Sequence, residues 1–177
     1  QNSIKNFFKD SQRPLVLFGA GVGLADQSEA VLNFIESNNL PFVSSWNGMN
    51  FFNHNHANYY GNIGVYGNRG ANFILQSCDR LLVLGSRLDN RQRGNVKKFA
   101  ANANVLVIDI DQGELDKHKN NPNHQMIQMD FCNLHAIIGA LSVDGDLNPS
   151  WGEYRSNIKD KYFTDWPSSS AEKYNSL

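Results

Sequence analysis

Four groups of residues in this sequence have the types and spacing to do chemistry. The first is Gly19-Ala20-Gly21-Val22-Gly23. Glycines let a backbone approach a ligand closely, and free N–H groups before a helix can hold a pyrophosphate. The fingerprint is incomplete, because the third glycine of G-x-G-x-x-G falls at Leu24. A tight turn without a ligand is the alternative. The second is Arg87, Asp89 and Arg91, whose guanidinium forks suit phosphate, with Asp89 placed to orient one of them. A solvated charged loop competes with that reading.

The third group is Asp109 and Asp111, with Asp130 further on. Carboxylates at strand ends accept from ribose hydroxyls or an adenine amino group. Asp111 and Asp130 also sit where helix caps belong. The fourth is His54 and His56, two apart in a polar stretch with no third ligand nearby. A solvated pair is the simpler reading, and His118, His124 and His135 look isolated.

The elements that must position these groups alternate in type. Leu15–Phe18, Pro41–Ser45, Arg80–Gly85, Val105–Ile108 and the weaker Gln125–Gln128 read as strands. Short continuous apolar runs of this kind suit strands buried on both faces. Helical patterns begin at Ser28, span Ala71–Gln76, and follow Phe131, Leu134, Ile138 and Leu141. The last carries Trp151, Tyr154, Ile158 and Tyr162 on one face. Trp46–Asn68 reads as a long functional loop. Strand and helix in repeated alternation predict an α/β fold, a doubly wound, Rossmann-like parallel sheet of about five to six strands. In such sheets ligands bind beyond the carboxyl ends of the strands, where the first three groups fall. The acid that grips a ribose in an NAD site should end the second strand, and Ser44 and Ser45 stand there instead.

Composition narrows the classes. The 177 residues carry a net charge near −1, with 41% hydrophobic and 19% charged residues. That is one globular domain with no basic face for nucleic acid and no apolar run suited to a membrane. Cys78 and Cys132 are too few for a disulfide framework and read as reduced, buried and inert, in a cytoplasmic protein. No Gly-x-Ser-x-Gly elbow is present. The opening Gln1-Asn2-Ser3 reads as a cut end, and Asp144-Gly145-Asp146 as a turn. Residues 1–166 form the expected domain, with 167–177 a linker toward a C-terminal domain.

In order along the chain, Arg13-Pro14-Leu15-Val16-Leu17-Phe18-Gly19-Ala20-Gly21, Leu40-Pro41-Phe42-Val43, Tyr60-Gly61-Asn62-Ile63-Gly64-Val65-Tyr66-Gly67, Asp79–Arg91 and Val107-Ile108-Asp109-Ile110-Asp111 resemble the central domain of thiamine-diphosphate enzymes. The Arg-x-Asp-x-Arg loop is most similar to that of acetolactate synthase large subunits. The chain departs from that pattern at Ala20, Asn90, Tyr66 and Ser44-Ser45-Trp46.

The resemblance implies an FAD site in this domain, with ADP as the alternative, whose flavin takes no net part in carboligation. Gly19, Ala20 and Gly21 would lie near phosphates and ribose. Ser44, Ser45, Trp46, Gly64, Val65 and Tyr66 would lie toward the flavin. Gly85, Arg87, Asp89 and Arg91 would line the middle, and Asp109, Ile110 and Asp130 the adenosine. It further implies a parent that condenses or cleaves 2-oxo acids, with thiamine diphosphate and magnesium held by other domains, in a homo-oligomer. The isolated chain would be inactive and would contribute no catalytic residue. A ligand-free structural domain and a stand-alone NAD-dependent, sirtuin-like enzyme are the competing readings.

Overall fold

The computed structural model describes residues 6–95, 98–134, 138–139 and 148–163. Six strands form a single parallel sheet in the order β3-β2-β1-β4-β5-β6. They are β1 (Pro14–Phe18), β2 (Phe42–Ser44), β3 (Tyr59–Asn62), β4 (Arg80–Leu84), β5 (Asn104–Asp109) and β6 (His124–Gln128). The expected doubly wound α/β architecture is present. The order reverses direction between β1 and β4, which lie side by side with Phe18 opposite Leu84.

The central strands are buried on both faces, which is why they read as unbroken apolar runs. Alternate residues feed two cores. Leu15, Leu17, Leu81, Val83, Val105 and Val107 enter one. Val16, Phe18, Leu82, Leu84, Leu106 and Ile108 enter the other.

The helices are α1 (Ala20–Leu24), α2 (Ser28–Ser37), α3 (Arg69–Ser77), α4 (Asn90–Arg93), α5 (Gln112–Asp116) and α6 (Pro149–Tyr162). Asn68 caps α3 by accepting from the Gly70 and Ala71 N–H groups, and Asn148 caps α6, with Pro149 at its first position. Trp151 and Ile158 of α6 enter the first core beside Ile74 and Leu75 of α3.

Several expectations change. The stretch Trp46–Asn68 contains a 3-10 turn, Asn47–Phe51, and the edge strand β3. The strand is short, and Gly61 within it has a φ of 89°. Its pairing with β2 is irregular between Phe42 and Ser44, so no clean alternation marks it. Helix begins directly at Ala20, so the glycine-rich segment is already helical. Phe131, Leu134 and Ile138 are buried as expected, though the first turn of that stripe is 3-10, Phe131–Asn133. Leu141, His135, the Asp144-Gly145-Asp146 turn and the linker 167–177 lie outside the described residues.

Cys78 is buried and Cys132 is exposed, which corrects the expectation for the second. Burial pushes the Cys78 thiol up to about 12. Among the described residues no helix is long and apolar enough to cross a membrane.

Candidate functional site

The ends of β1 and β4 are sewn together by backbone alone. The Gly19 N–H donates to Leu84 O at 2.8 Å and the Gly21 N–H to Gly85 O at 3.0 Å. Gly85 in turn donates to Ile108 O at 2.9 Å, tying in β5. These donors are committed to the protein. The expectation that free N–H groups of the turn hold a pyrophosphate is therefore corrected for Gly19 and Gly21. Their glycines serve the close approach: a Cβ on Gly19 would stand 2.1 Å from Gly85 O.

Above this seam a cleft of about 800 Å³ opens at the strand ends. Each of the first five strands sends residues to it. Ala20, Gly21 and Leu24 follow β1, and Ser45, Trp46 and Asn47 follow β2. Ile63, Tyr66 and Gly67 follow β3. Gly85, Ser86, Arg87, Asp89, Arg91 and Gln92 follow β4, and Asp109, Ile110 and Asp111 follow β5.

The loop after β4 is shaped by Leu88. Its backbone is left-handed, with a φ of 47°, an uncommon state for a side-chain-bearing residue. Its side chain is fully buried in the first core. That anchor leaves Arg87 and Asp89 exposed on either side. Ser86 Oγ donates to Gln92 Oε1 at 2.7 Å and closes the loop on itself.

Asp89 does not orient an arginine. Its Oδ1 accepts from the Arg91 and Gln92 N–H groups and caps α4. Among the described residues no carboxylate forms an ion pair with Arg87 or Arg91, and both line the cleft together with Asp89, Asp109 and Asp111. Asp109, at the end of β5, is 8% exposed, and its Oδ1 accepts from the Asp111 N–H at 3.0 Å. Asp111 caps α5 through the Gly113 and Glu114 N–H groups.

Five of the sequence-derived residues stand outside the lining. Gly19 forms the seam beneath it. Ser44 is fully buried, with its Oγ 2.8 Å from Tyr59 Oη. Gly64 is clamped by Asn72, and Val65 is exposed beside Tyr66. Asp130 caps the turn at Phe131 by accepting from Cys132 N–H; those bonds to Cys132 hold its carboxyl below the usual range. Sequence reasoning missed Leu24, Asn47, Ile63, Gly67, Ser86 and Gln92 as lining residues. The Ser86–Gln92 pairing inside a polar loop was the one signal on offer.

The histidines divide otherwise than expected. His54 and His56 point to different partners: His54 Nε2 lies 2.6 Å from Met49 O, and His56 Nε2 lies 3.0 Å from Glu36 Oε1. No group of metal-ligating residues forms among the described residues. His118 and His124, which look isolated in sequence, stack with Nδ1 atoms 2.9 Å apart. Burial, then the partner ring and Arg93, push His124 down to about 4. Burial, then Arg93 and Lys117, lower His118.

A parallel sheet of this order with a cleft at its reversal point is the doubly wound architecture, in which ligands bind beyond the carboxyl ends of the strands. The family model for the thiamine pyrophosphate enzyme central domain matches residues 2–131, and the chain belongs to that family. It is 31% identical over 153 residues to the acetolactate synthase isozyme 2 large subunit of Escherichia coli (strain K12), covering 86% of this chain and 27% of that protein. It is 36% identical over 110 residues to a probable acetolactate synthase large subunit of Methanococcus aeolicus, covering 62% of this chain and 18% of that protein. The chain thus spans about a quarter or less of the length of these relatives. The sirtuin-like alternative receives no support from them.

Proposed function

We propose that this chain is the central, cofactor-holding and scaffolding domain of an acetolactate synthase-like enzyme, and that its cleft takes FAD, with ADP as the smaller alternative. The observation that carries the reading is the cleft at the β1/β4 reversal, lined by Arg87 and Arg91, with which no carboxylate among the described residues forms an ion pair. Its volume, about 800 Å³, falls within the usual range for small-molecule sites, roughly 300–1,000 Å³. The residues fit the group. Arg87 and Arg91 would hold the pyrophosphate by paired hydrogen bonds. Asp109 would face the adenosine, and the exposed rings of Trp46 and Tyr66 would cover the flat flavin end. Bound there, FAD supplies a redox-capable ring that takes no net part in carboligation.

In this reading the parent enzyme decarboxylates or condenses 2-oxo acids in the cytoplasm as a homo-oligomer. Thiamine diphosphate and magnesium are held by domains other than this one, and this chain alone has no turnover. The other domains of the parent are its partners. Calorimetric titration with FAD, ADP and NAD tests it. Saturable FAD binding that weakens about tenfold or more in Arg87→Ala, the loss of one charge-assisted contact, is the expected result. Binding of NAD alone, or turnover of pyruvate by this chain, overturns it. Binding of none of the three favours a ligand-free scaffold.

A further inference from the structure

The two walls of the cleft mouth belong to different segments, the loop after β3 and helix α4, and beside the point where they meet the loop is held by a residue that lines neither. Asn72 lies on α3. Its Oδ1 accepts from the Gly64 N–H at 3.0 Å, and its Nδ2 donates to Gly64 O at 2.9 Å. Both hydrogen-bonding groups of one glycine are thereby held by one side chain. Gly64 has a φ of 113°, and a Cβ there would stand 2.6 Å from Arg91 O. The next residue, Val65, donates its N–H to that same Arg91 O at 2.8 Å. Tyr66 follows on one wall, and Arg91 and Gln92 form the other.

We propose that Asn72 is a positioning residue for the cleft: acting through Gly64, it docks the Tyr66 loop onto α4 and fixes the spacing between Tyr66 and Arg91. The consequence for ligands rests on the nucleotide reading given above; the docking itself does not. Ile63 of the loop shares the first core with Ala71, Ile74 and Leu75 of α3, and among the described residues no other side chain of α3 hydrogen-bonds the loop. The amide is required in both senses, since it donates with one atom and accepts with the other. Aspartate keeps the shape and the acceptor but loses the donor, and it sets a carboxylate oxygen against Gly64 O.

The test uses the whole chain, as wild type, Asn72→Asp and Asn72→Ala, with Gly64→Ala breaking the same contact from the other side. Limited trypsin digestion without ligand reads the Arg91–Gln92 bond against the Arg80–Leu81 bond inside β4. Cutting after Arg91 should rise by about tenfold in all three variants, with cutting after Arg80 unchanged: Asn72→Ala loses both hydrogen bonds, Asn72→Asp loses one and gains a repulsion, and Gly64→Ala is driven off Arg91 O. FAD affinity should fall by about tenfold or more. An unchanged rate after Arg91, or a parallel rise after Arg80, overturns the proposal. So does a released loop with FAD affinity unaltered. If wild type binds no nucleotide, the nucleotide reading fails, and the digestion pattern still decides whether Asn72 docks the loop.

Discussion

Gly19 and Gly85 meet backbone to backbone, so closely that a single added methyl on Gly19 would stand 2.1 Å from Gly85 O. This contact lets β1 and β4 end side by side under the cleft. Neither chain can retreat, because Gly19 N–H is bonded to Leu84 O and Gly21 N–H to Gly85 O.

Gly19→Ala should therefore destabilise the fold by about 3 kcal/mol, the cost of forcing backbone apart in a packed seam. Gly152→Ala is the contrasting change. It sits inside α6 with nothing within 4 Å of the added carbon, so it should stabilise by about 0.5–1 kcal/mol. Urea unfolding of the two variants beside wild type checks both signs.

The His118–His124 pair predicts a pH dependence of stability. In the fold His124 titrates at about 4, against an ordinary value of 6.5. Between those limits the unfolded chain takes up a proton that the folded chain refuses. Stability is then full above pH 6.5, falls as the pH drops toward 4, and loses nothing more from this group below that. Arg93 and Lys117 face the pair and oppose its protonation, while Glu114 favours it. His124→Gln should flatten the urea midpoint across this window. A midpoint with the wild-type slope in that variant would show that other groups carry the acid lability.

The two thiols should react in a fixed order. Cys132 is exposed, whereas Cys78 is buried and held near 12. Iodoacetamide at mildly alkaline pH should label Cys132 alone in the folded protein and Cys78 only after unfolding. The hydrogen bond and charge of Asp130 raise the Cys132 thiol, so Asp130→Asn should label faster. Mass spectrometry of the labelled peptides reads both outcomes.

Much of this was legible in the sequence, for a reason visible in the cores. A strand buried on both faces cannot hide its apolar run, and that run marks Leu15–Phe18, Arg80–Gly85 and Val105–Ile108 in the sequence. The arrival of ligand-type residues at strand ends followed from parallel topology. The edge strand Tyr59–Asn62 escaped because it is short, carries Gly61 at positive φ and pairs irregularly with β2. The roles of Asp89 and Leu88 escaped for another reason. Whether an aspartate meets an arginine or a helix end depends on the direction of the loop, and a left-handed Leu88 sets that direction. The stacked histidines lie only six residues apart, yet what joins them is the turn from α5 back into β6. A side-chain-to-backbone clamp such as Asn72 on Gly64 leaves no mark on hydrophobic pattern at all.

The left-handed Leu88 has one more consequence. Because its side chain is rooted in the core while Arg87 and Asp89 are exposed on either side, the loop works as a rivet with one free flange at Arg87 and one fastened to α4 at Asp89. The residue on the free flange can be exchanged without disturbing what lies beneath, and the rivet cannot be exchanged without loosening both sides. A family that kept the leucine would be able to change what its cleft welcomes by small edits at the surface, while the sheet below folded unaware of the change.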